Sequence, residues 1–294
     1  MVVRLGLGTV QFGLDYGISN ARGRPTDDEV RKILAFAVSG GMEVIDTAAA
    51  YGDSEAVLGR CMPEAGIRLI TKTKSLREYN NGSDAAWVCE GFARSLQRLQ
   101  LDSVEGLLVH NAADLLGPSG DAIYAELVRL KDQGLVRRVG LSAYSGAEID
   151  AALDRYDVDL VQVPINVLDQ RLVLGGQLQR LRTRGVEIHV RSVFLQGLLL
   201  MEPAALPASF SPIRPLLQSW RDALAELAMT PAQGAFAYIK SLDVDVALVG
   251  VEDARQLQAN QRDFASGRCE GIDFTQLALD DEAFLNPSRW KLVA

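Results

Sequence analysis

The sequence predicts a single-domain α/β protein built as a (β/α)8 barrel, the TIM-barrel class. Three observations predict it. Short apolar runs, β-branched or leucine-rich and too brief for helices, alternate with longer amphipathic stretches, and such alternation implies parallel strands joined by right-handed crossovers. Eight of these units fill roughly 250 residues, the size of a closed barrel, although the alternation alone also suits an open doubly wound sheet. Finally, 294 residues of which 48% are hydrophobic supply a full core. With no internal repeat or low-complexity segment to divide it, the span 1–294 reads as one domain.

Strands are expected over 4–10, 42–47, 68–72, 103–110, 136–142, 160–165, 186–193 and 244–249. Pro25 and Thr26 open the first helix, with Thr26 as cap and Glu29 three residues on, the spacing of a capping box; Gly40-Gly41 stops it. Further helices are expected over 54–61, 84–99, 120–133, 147–156, 176–184, 214–228 continuing at 231–241, and 254–264, with Gly134 and Gly185 each placed before a strand. The segment 197–215 carries Pro203, Pro207, Pro212 and Pro215 and reads as a long loop, either a substrate lid or a passive connector. The tail, 271–294, is expected to pack across the barrel.

Composition narrows the function classes. The net charge is −8 and the pI near 5.0, with no basic run to neutralise phosphates, so nucleic acid is not an expected partner. Cys61, Cys89 and Cys269 are odd in number, far apart and without a C-x-x-C pair, and read as three reduced thiols. The apolar run at the N-terminus is short and broken by glycine, unlike a signal peptide, and no stretch approaches the roughly 18 apolar residues of a membrane span. These features together describe a soluble cytoplasmic protein.

Barrel enzymes carry their chemistry at the carboxyl ends of strands. Strand two ends in Asp46-Thr47, strand three in Thr71-Lys72 and strand four in Val109-His110, which puts three ionisable groups on one face; Tyr51 follows Asp46 by five residues in the adjoining loop. Taken singly, Asp46 reads as a cap, Tyr51 as a half-buried aromatic and Lys72 as a solvated charge. As a group they suit carbonyl reduction, in which a hydride arrives at carbon while oxygen takes a proton. An ordinary phenol titrates near pH 10, and about 4 kcal/mol is needed to bring one to neutrality; an adjacent ammonium supplies the right sign. A carboxylate such as Asp46 would hold that ammonium charged, and His110 could orient the substrate oxygen. Lys74 shares a strand face with Lys72, so spacing leaves the choice between them open. The second histidine of the chain, His189, lies inside strand seven and reads as structural.

At these residues the chain resembles the aldo-keto reductase family. Gly6-Leu7-Gly8-Thr9, Val44-Ile45-Asp46-Thr47-Ala48, Tyr51-Gly52-Asp53-Ser54-Glu55, Thr71-Lys72 and Leu107-Leu108-Val109-His110-Asn111 follow its motifs in order. The likeness continues through Gly140-Leu141-Ser142, Gln162, Thr230-Pro231-Ala232-Gln233, Gly250, Gln256-Leu257 and Asn260. It implies a barrel without a Rossmann domain and an NAD(P)H-dependent reduction of a small carbonyl substrate. It favours Lys72 over Lys74, giving Asp46, Tyr51, Lys72 and His110 as the catalytic group with Tyr51 as proton donor. It further implies that Ser142 and Gln162 hold the nicotinamide carboxamide and that Thr9 and Asp46 contact the ribose. The run from Arg191 to Gly197, including Ser192, Phe194 and Gln196, would line the pyrophosphate. The run from Gly250 to Asn260, including Val251, Glu252 and Gln256, would take the adenosine, with phosphate drawn to free amides where a strand meets a helix start.

Departures from the family pattern matter. Ala143 replaces the Asn that often follows the serine. Arg191 stands where an aromatic usually stacks on the nicotinamide, and a guanidinium can also stack on a flat ring. NADP(H) is the cofactor the resemblance implies, but Glu252, Asp253 and Gln256 occupy the place where NADPH-preferring members set basic and hydroxyl groups, with Arg255 alongside. An acidic side chain repels a 2′-phosphate and welcomes a ribose hydroxyl, so NAD(H) fits as well. Phe194-Leu195-Gln196-Gly197-Leu198-Leu199 resembles a bacterial branch associated with sugar or cell-envelope metabolism, which suggests sugar-derived carbonyls. Substrate contacts are expected from Tyr16, the segment after Lys74, residues 111–117 and residues 197–215. A nucleotide-binding barrel with a sensing or scaffolding role is the alternative. A metal-dependent hydrolase is not supported, because two histidines are too few for its usual ligand set.

Overall fold

The computed structural model describes residues 2–63, 66–76, 84–268 and 271–290. In chain order its elements are β1 (Arg4–Gly8), α1 (Val10–Gly13), α2 (Asp27–Ser39), β2 (Val44–Asp46), α3 (Ser54–Cys61), β3 (Arg68–Lys72), α4 (Asp84–Leu99), β4 (Val104–Val109), α5 (Ala112–Leu116), α6 (Gly120–Asp132) and β5 (Val136–Ser142). Then come α7 (Gly146–Arg155), β6 (Leu160–Pro164), α8 (Arg171–Leu174), α9 (Gln177–Thr183), β7 (Glu187–Arg191), α10 (Arg214–Glu226), α11 (Pro231–Lys240), β8 (Val246–Gly250), α12 (Ala254–Ser266) and α13 (Glu282–Leu285). The eight strands pair in sequence order, all parallel, and β1 pairs with β8, so the sheet closes into a barrel and the open-sheet alternative falls away.

Alternation along each strand sorts the side chains. Leu7, Ile45, Leu69, Leu107, Leu141, Val161, Ile188 and Val249 face outward and pack under the helices in one continuous core. Val44, Ile70, Leu108, Leu160, Val246 and Leu248 form a separate buried cluster in the barrel interior. Successive same-face residues are two apart, so the next inward residues toward the carboxyl ends are Asp46, Lys72, His110, Gln162 and Gly250. The barrel interior is therefore largely apolar at mid-height and polar at its carboxyl-terminal mouth.

Several expected elements shift. Val10 belongs to a helical turn rather than to β1, and β2 is three residues long. The seventh strand stops at Arg191, because Ser192 takes a φ of 61°, followed by Leu195 at 47° and Gln196 at 55°; no glycine advertises that turn. Thr26 caps α2 by accepting from Glu29 N, but Glu29 does not complete a capping box: its Oε1 accepts from Ala254 N at 2.9 Å, tying α2 to the start of α12. True capping boxes form at Ser145/Glu148 and Thr230/Gln233. The proline-bearing segment is not an open loop. It winds into 3-10 turns over Leu198–Leu200, Pro203–Ala205 and Ala208–Ile213, with Leu198, Leu199, Leu206, Phe210 and Ile213 buried.

The tail packs against the flank. Leu279 N donates to Leu168 O at 2.8 Å, Gln170 Nε2 donates to Phe274 O at 2.6 Å, and the Trp290 ring meets Phe210 edge to face at 5.0 Å. Residues 291–294 lie outside the described residues, as does Cys269; Cys61 and Cys89 are free. Among the described residues no helix is long and apolar enough to cross a membrane.

Candidate active site

Lys72 is buried at 0% exposure at the end of β3. Its Nζ donates to Asp46 Oδ2 at 2.7 Å, to Thr47 O at 2.9 Å and to the Tyr51 hydroxyl at 3.3 Å. All three of its protons are thereby used. Burial opposes the ammonium, but the Asp46 carboxylate and the Tyr51 phenol outweigh it and hold the Lys72 pKa above the ordinary lysine value. The Tyr51 and His110 rings meet edge to face, centroids 5.5 Å apart. Burial first, then the positive charges of Lys72 and Arg191, press the His110 pKa down to about 3, so its imidazole is neutral across the working range.

Tyr51 is held by its backbone. A side-chain carbon at Gly13 would lie 1.9 Å from Tyr51 O, and one at Gly52, where φ is 53°, would lie 2.4 Å from Gly13 O. The two glycines thus let the turn after β1 press directly on the Tyr51 loop. Behind it, Ser54 Oγ donates to Thr9 O at 2.8 Å, and Glu55 joins Thr71 Oγ1 at 2.6 Å to Arg98 Nη2 at 2.6 Å, fastening α3 beside Lys72.

These groups open onto a cavity of about 630 Å³ at the carboxyl ends of the strands, within the range of about 300–1,000 Å³ usual for small-molecule sites. At its inner end Gln162 Nε2 donates to Asp46 Oδ1 at 2.7 Å while its Oε1 is buried without a partner. Gln11 Oε1, beneath Gly250, is also buried and unpartnered. Unmatched buried acceptors are costly and ask for a ligand donor, which a carboxamide or a ribose hydroxyl supplies. At its outer end Glu252, Gln256, Asn260 and Asp263 line the wall.

The sequence pattern described as the Aldo/keto reductase family matches residues 4–268. The chain belongs to the aldo/keto reductase family. A curated relative, an aldo-keto reductase of Mycobacterium ulcerans (strain Agy99), is 32% identical over 132 residues, which is 44% of this chain and 45% of that protein. The match thus spans under half the relative's length. Among solved structures, the holo form of the aldo-keto reductase AKR11C1 from Bacillus halodurans superposes with a TM-score of 0.73 at 21% identity, covering 94% of this chain and 90% of that one. PA4992 of Pseudomonas aeruginosa gives 0.67 at 26%, covering 90% and 91%.

Against the family pattern, the fold brings Asp46, Tyr51, Lys72 and His110 together, and Lys74 stands apart as an exposed residue. Ser142, Gln162, Arg191 and Ser192 line the inner part of the cavity; Phe194, Gln196 and Gly197 line its side. Thr9 also borders it, but its hydroxyl donates to Asp46 O at 2.9 Å and is fully buried. Val251 packs into the core instead of bordering the cavity. The amides at the start of α12 are not free for phosphate as expected: Ala254 N donates to Glu29, Gln256 N to Asp253 Oδ1 at 2.8 Å, and Glu252 N to Gln256 Oε1 at 2.8 Å. Glu29 of α2 and the cap residue Asp253 thus satisfy the Ala254 and Gln256 amides.

Of the segments expected to touch substrate, Tyr16, Gly197, Leu200 and Met201 reach the cavity; no residue of 111–117 does, and 77–83 lie outside the described residues. Gln11, Ser19 and Tyr144 were missed. Tyr144 follows Ser142 by two residues, so alternation signals its position; Gln11 and Ser19 arrive through turns that no periodicity marks. Among the described residues no His, Cys, Asp and Glu side chains gather as a metal-binding set.

Proposed function

We propose that the protein is an NAD(P)H-dependent carbonyl reductase acting on aldehydes or ketones, sugar-derived ones included. One observation carries this reading: a buried Lys72 ammonium bridging the Asp46 carboxylate at 2.7 Å and the Tyr51 hydroxyl at 3.3 Å, at the wall of a cavity. The nicotinamide supplies the hydride when bound. Tyr51 gives its proton to the substrate oxygen as carbon takes the hydride. Lys72, locked in charge by Asp46, stabilises the phenolate left behind, and solvent returns the proton. His110, neutral, donates a hydrogen bond to the same oxygen and orients it. Gln162 Oε1 and Ser142 are the groups that would hold the carboxamide, with Arg191 beside the ring.

For the nucleotide, we infer that NADH serves at least as well as NADPH. The Glu252 carboxylate lines the outer cavity, and the Ala254 and Gln256 amides of α12 are occupied, so a 2′-phosphate meets like charge and little of a cradle.

The experiment is Tyr51→Phe, assayed with a carbonyl panel and titrated with NADH and NADPH. Turnover is expected to fall by about 10²- to 10⁴-fold, the range of a lost general acid, while dissociation constants stay within a few-fold and NADH binds no more weakly than NADPH. Undiminished turnover would remove Tyr51 from the chemistry, and strong NADPH selectivity would remove the nucleotide reading.

A further inference from the structure

The inner column of β7 is polar along its length, running Glu187, His189, Arg191. At its top the Arg191 side chain turns back over β6. Its Cζ lies 4.1 Å from the Tyr144 ring centroid and its Nη2 donates to Ala143 O at 3.4 Å, both in the loop after β5. The guanidinium therefore points away from β8 and the start of α12. It borders the cavity together with Tyr51, His110 and Gln162, and among the described residues no carboxylate pairs with it. Asp46 and Lys72 neutralise each other. The remaining cavity carboxylates, Glu252 and Asp263, stand at the opposite end beside α12. One positive charge is left uncompensated where the chemistry takes place, and its field reaches His110, whose imidazole it helps keep unprotonated.

The reading of the site as a nicotinamide reductase, on which this inference rests, puts the reactive ring at this end, because hydride must reach a carbonyl within range of the Tyr51 proton. The reduced ring is neutral and the oxidised ring is a cation. We propose that Arg191 is a specificity-determining residue that makes the protein bind the reduced cofactor in preference to the oxidised one. A fixed cation in a partly desolvated wall repels a like charge far more strongly than water would, whereas an aromatic at this position would offer an electron-rich face to either form. The thermodynamic consequence closes in a cycle. The ratio of the two dissociation constants sets an upward shift of the bound couple's potential, about 30 mV for each tenfold in a two-electron couple. Once hydride has left, the ring becomes a cation beside Arg191, which favours its release, while the raised potential makes the held cofactor a milder hydride donor.

The test is equilibrium titration of the full chain, without substrate, with NADH, NAD⁺, NADPH and NADP⁺, by calorimetry and by protein fluorescence. We expect each oxidised form to bind at least tenfold more weakly than its reduced partner. In Arg191→Met, close in length and uncharged, the ratio should drop at least fivefold, chiefly through tighter binding of the oxidised form; Arg191→Lys should keep most of it. A wild-type ratio near one overturns the proposal and needs no variant to fold. So does an unchanged ratio in the Met variant, or a Lys variant as indifferent as Met, which would assign the effect to the flat stack instead of the charge. If neither form of either cofactor binds the wild-type chain, the reading of the site fails and this inference falls with it.

Discussion

Lys72 keeps its charge in the barrel wall because three acceptors surround it, and removing the Asp46 carboxylate would leave a buried charge unpaired, which costs about 3–5 kcal/mol. His110 is the opposite case, a histidine buried neutral. Its pKa falls from about 6.5 unfolded to about 3 folded. Between those values the unfolded chain binds the extra proton, so folding stability drops as pH falls below about 6.5. The slope attributable to this one residue is at most about 1.4 kcal/mol per pH unit. His110→Gln should therefore lose less stability than wild type between pH 7 and pH 5, read from urea midpoints; parallel curves would refute it. At this scale the identities of Asp46, Lys72 and His110 were legible, because each ends a strand. Arg191's partner was not, because Tyr144 lies 47 positions away in the chain and meets it only across β6.

Among the elements, the stretch between α1 and α2 has the clearest functional consequence. Ile18 N donates to Gln196 O at 3.2 Å, Ser19 sits against Gly197, and Arg22 Nη1 pairs with Asp253 Oδ2 at 2.5 Å. It therefore bridges the loop after β7 and the cap of α12, along the cavity that Tyr16, Gly17 and Ser19 help to line. A dinucleotide in the cavity would lie behind this strap. The Arg22 side chain is 64% exposed, and exposed pairs contribute roughly 0.2–1 kcal/mol. Arg22→Ala is accordingly expected to speed cofactor release by about two- to fivefold, measured by stopped-flow displacement, with the wild-type rate approaching the variant's at high salt. An unchanged rate would show that the strap does not gate release. The helices and strands themselves were readable from periodicity and glycine stops, whereas the strap was not. Its residues carry no repeat, and what shapes them is contact with segments about 180 and 230 positions further along.

Over the whole molecule, the barrel is polar at both ends for different reasons. The amino-terminal end is closed by a network in which Glu187 meets Arg68 at 2.9 Å, Arg138 at 2.7 Å and His189 at 2.9 Å, while Glu105 meets Arg138 at 2.6 Å. Burial raises the Glu187 pKa, but the His189 contact and the Arg68 guanidinium outweigh it and bring it down to about 2. A carboxylate depressed on folding stabilises above its unfolded value, about 4.5, and that contribution is lost as pH falls from there toward 2. Glu187→Gln should destabilise at neutral pH by about 1.5–3 kcal/mol, the loss of charge-assisted hydrogen bonds, since Glu105 stays paired with Arg68 and Arg138, and should flatten the loss between pH 4.5 and 2. Thermal melts across that range check both; a variant as stable as wild type at pH 7 would show the network to be incidental.

By itself the sequence determined how many strand–helix units there are, which strand faces are apolar, and which ionisable residues stand at the ends of strands two, three and four. Those properties are local, set by periodicity, caps and stops within a dozen residues. Only the tertiary structure decided that Lys72 is held between Asp46 and Tyr51, that the Ala254 and Gln256 amides are already occupied by Glu29 and Asp253, and that Arg191 faces the cavity with no carboxylate paired to it among the described residues. Closure of β1 on β8 and the stagger of the strands bring distant segments to the same mouth, and charge at a few ångströms depends on that closure rather than on neighbours in the chain.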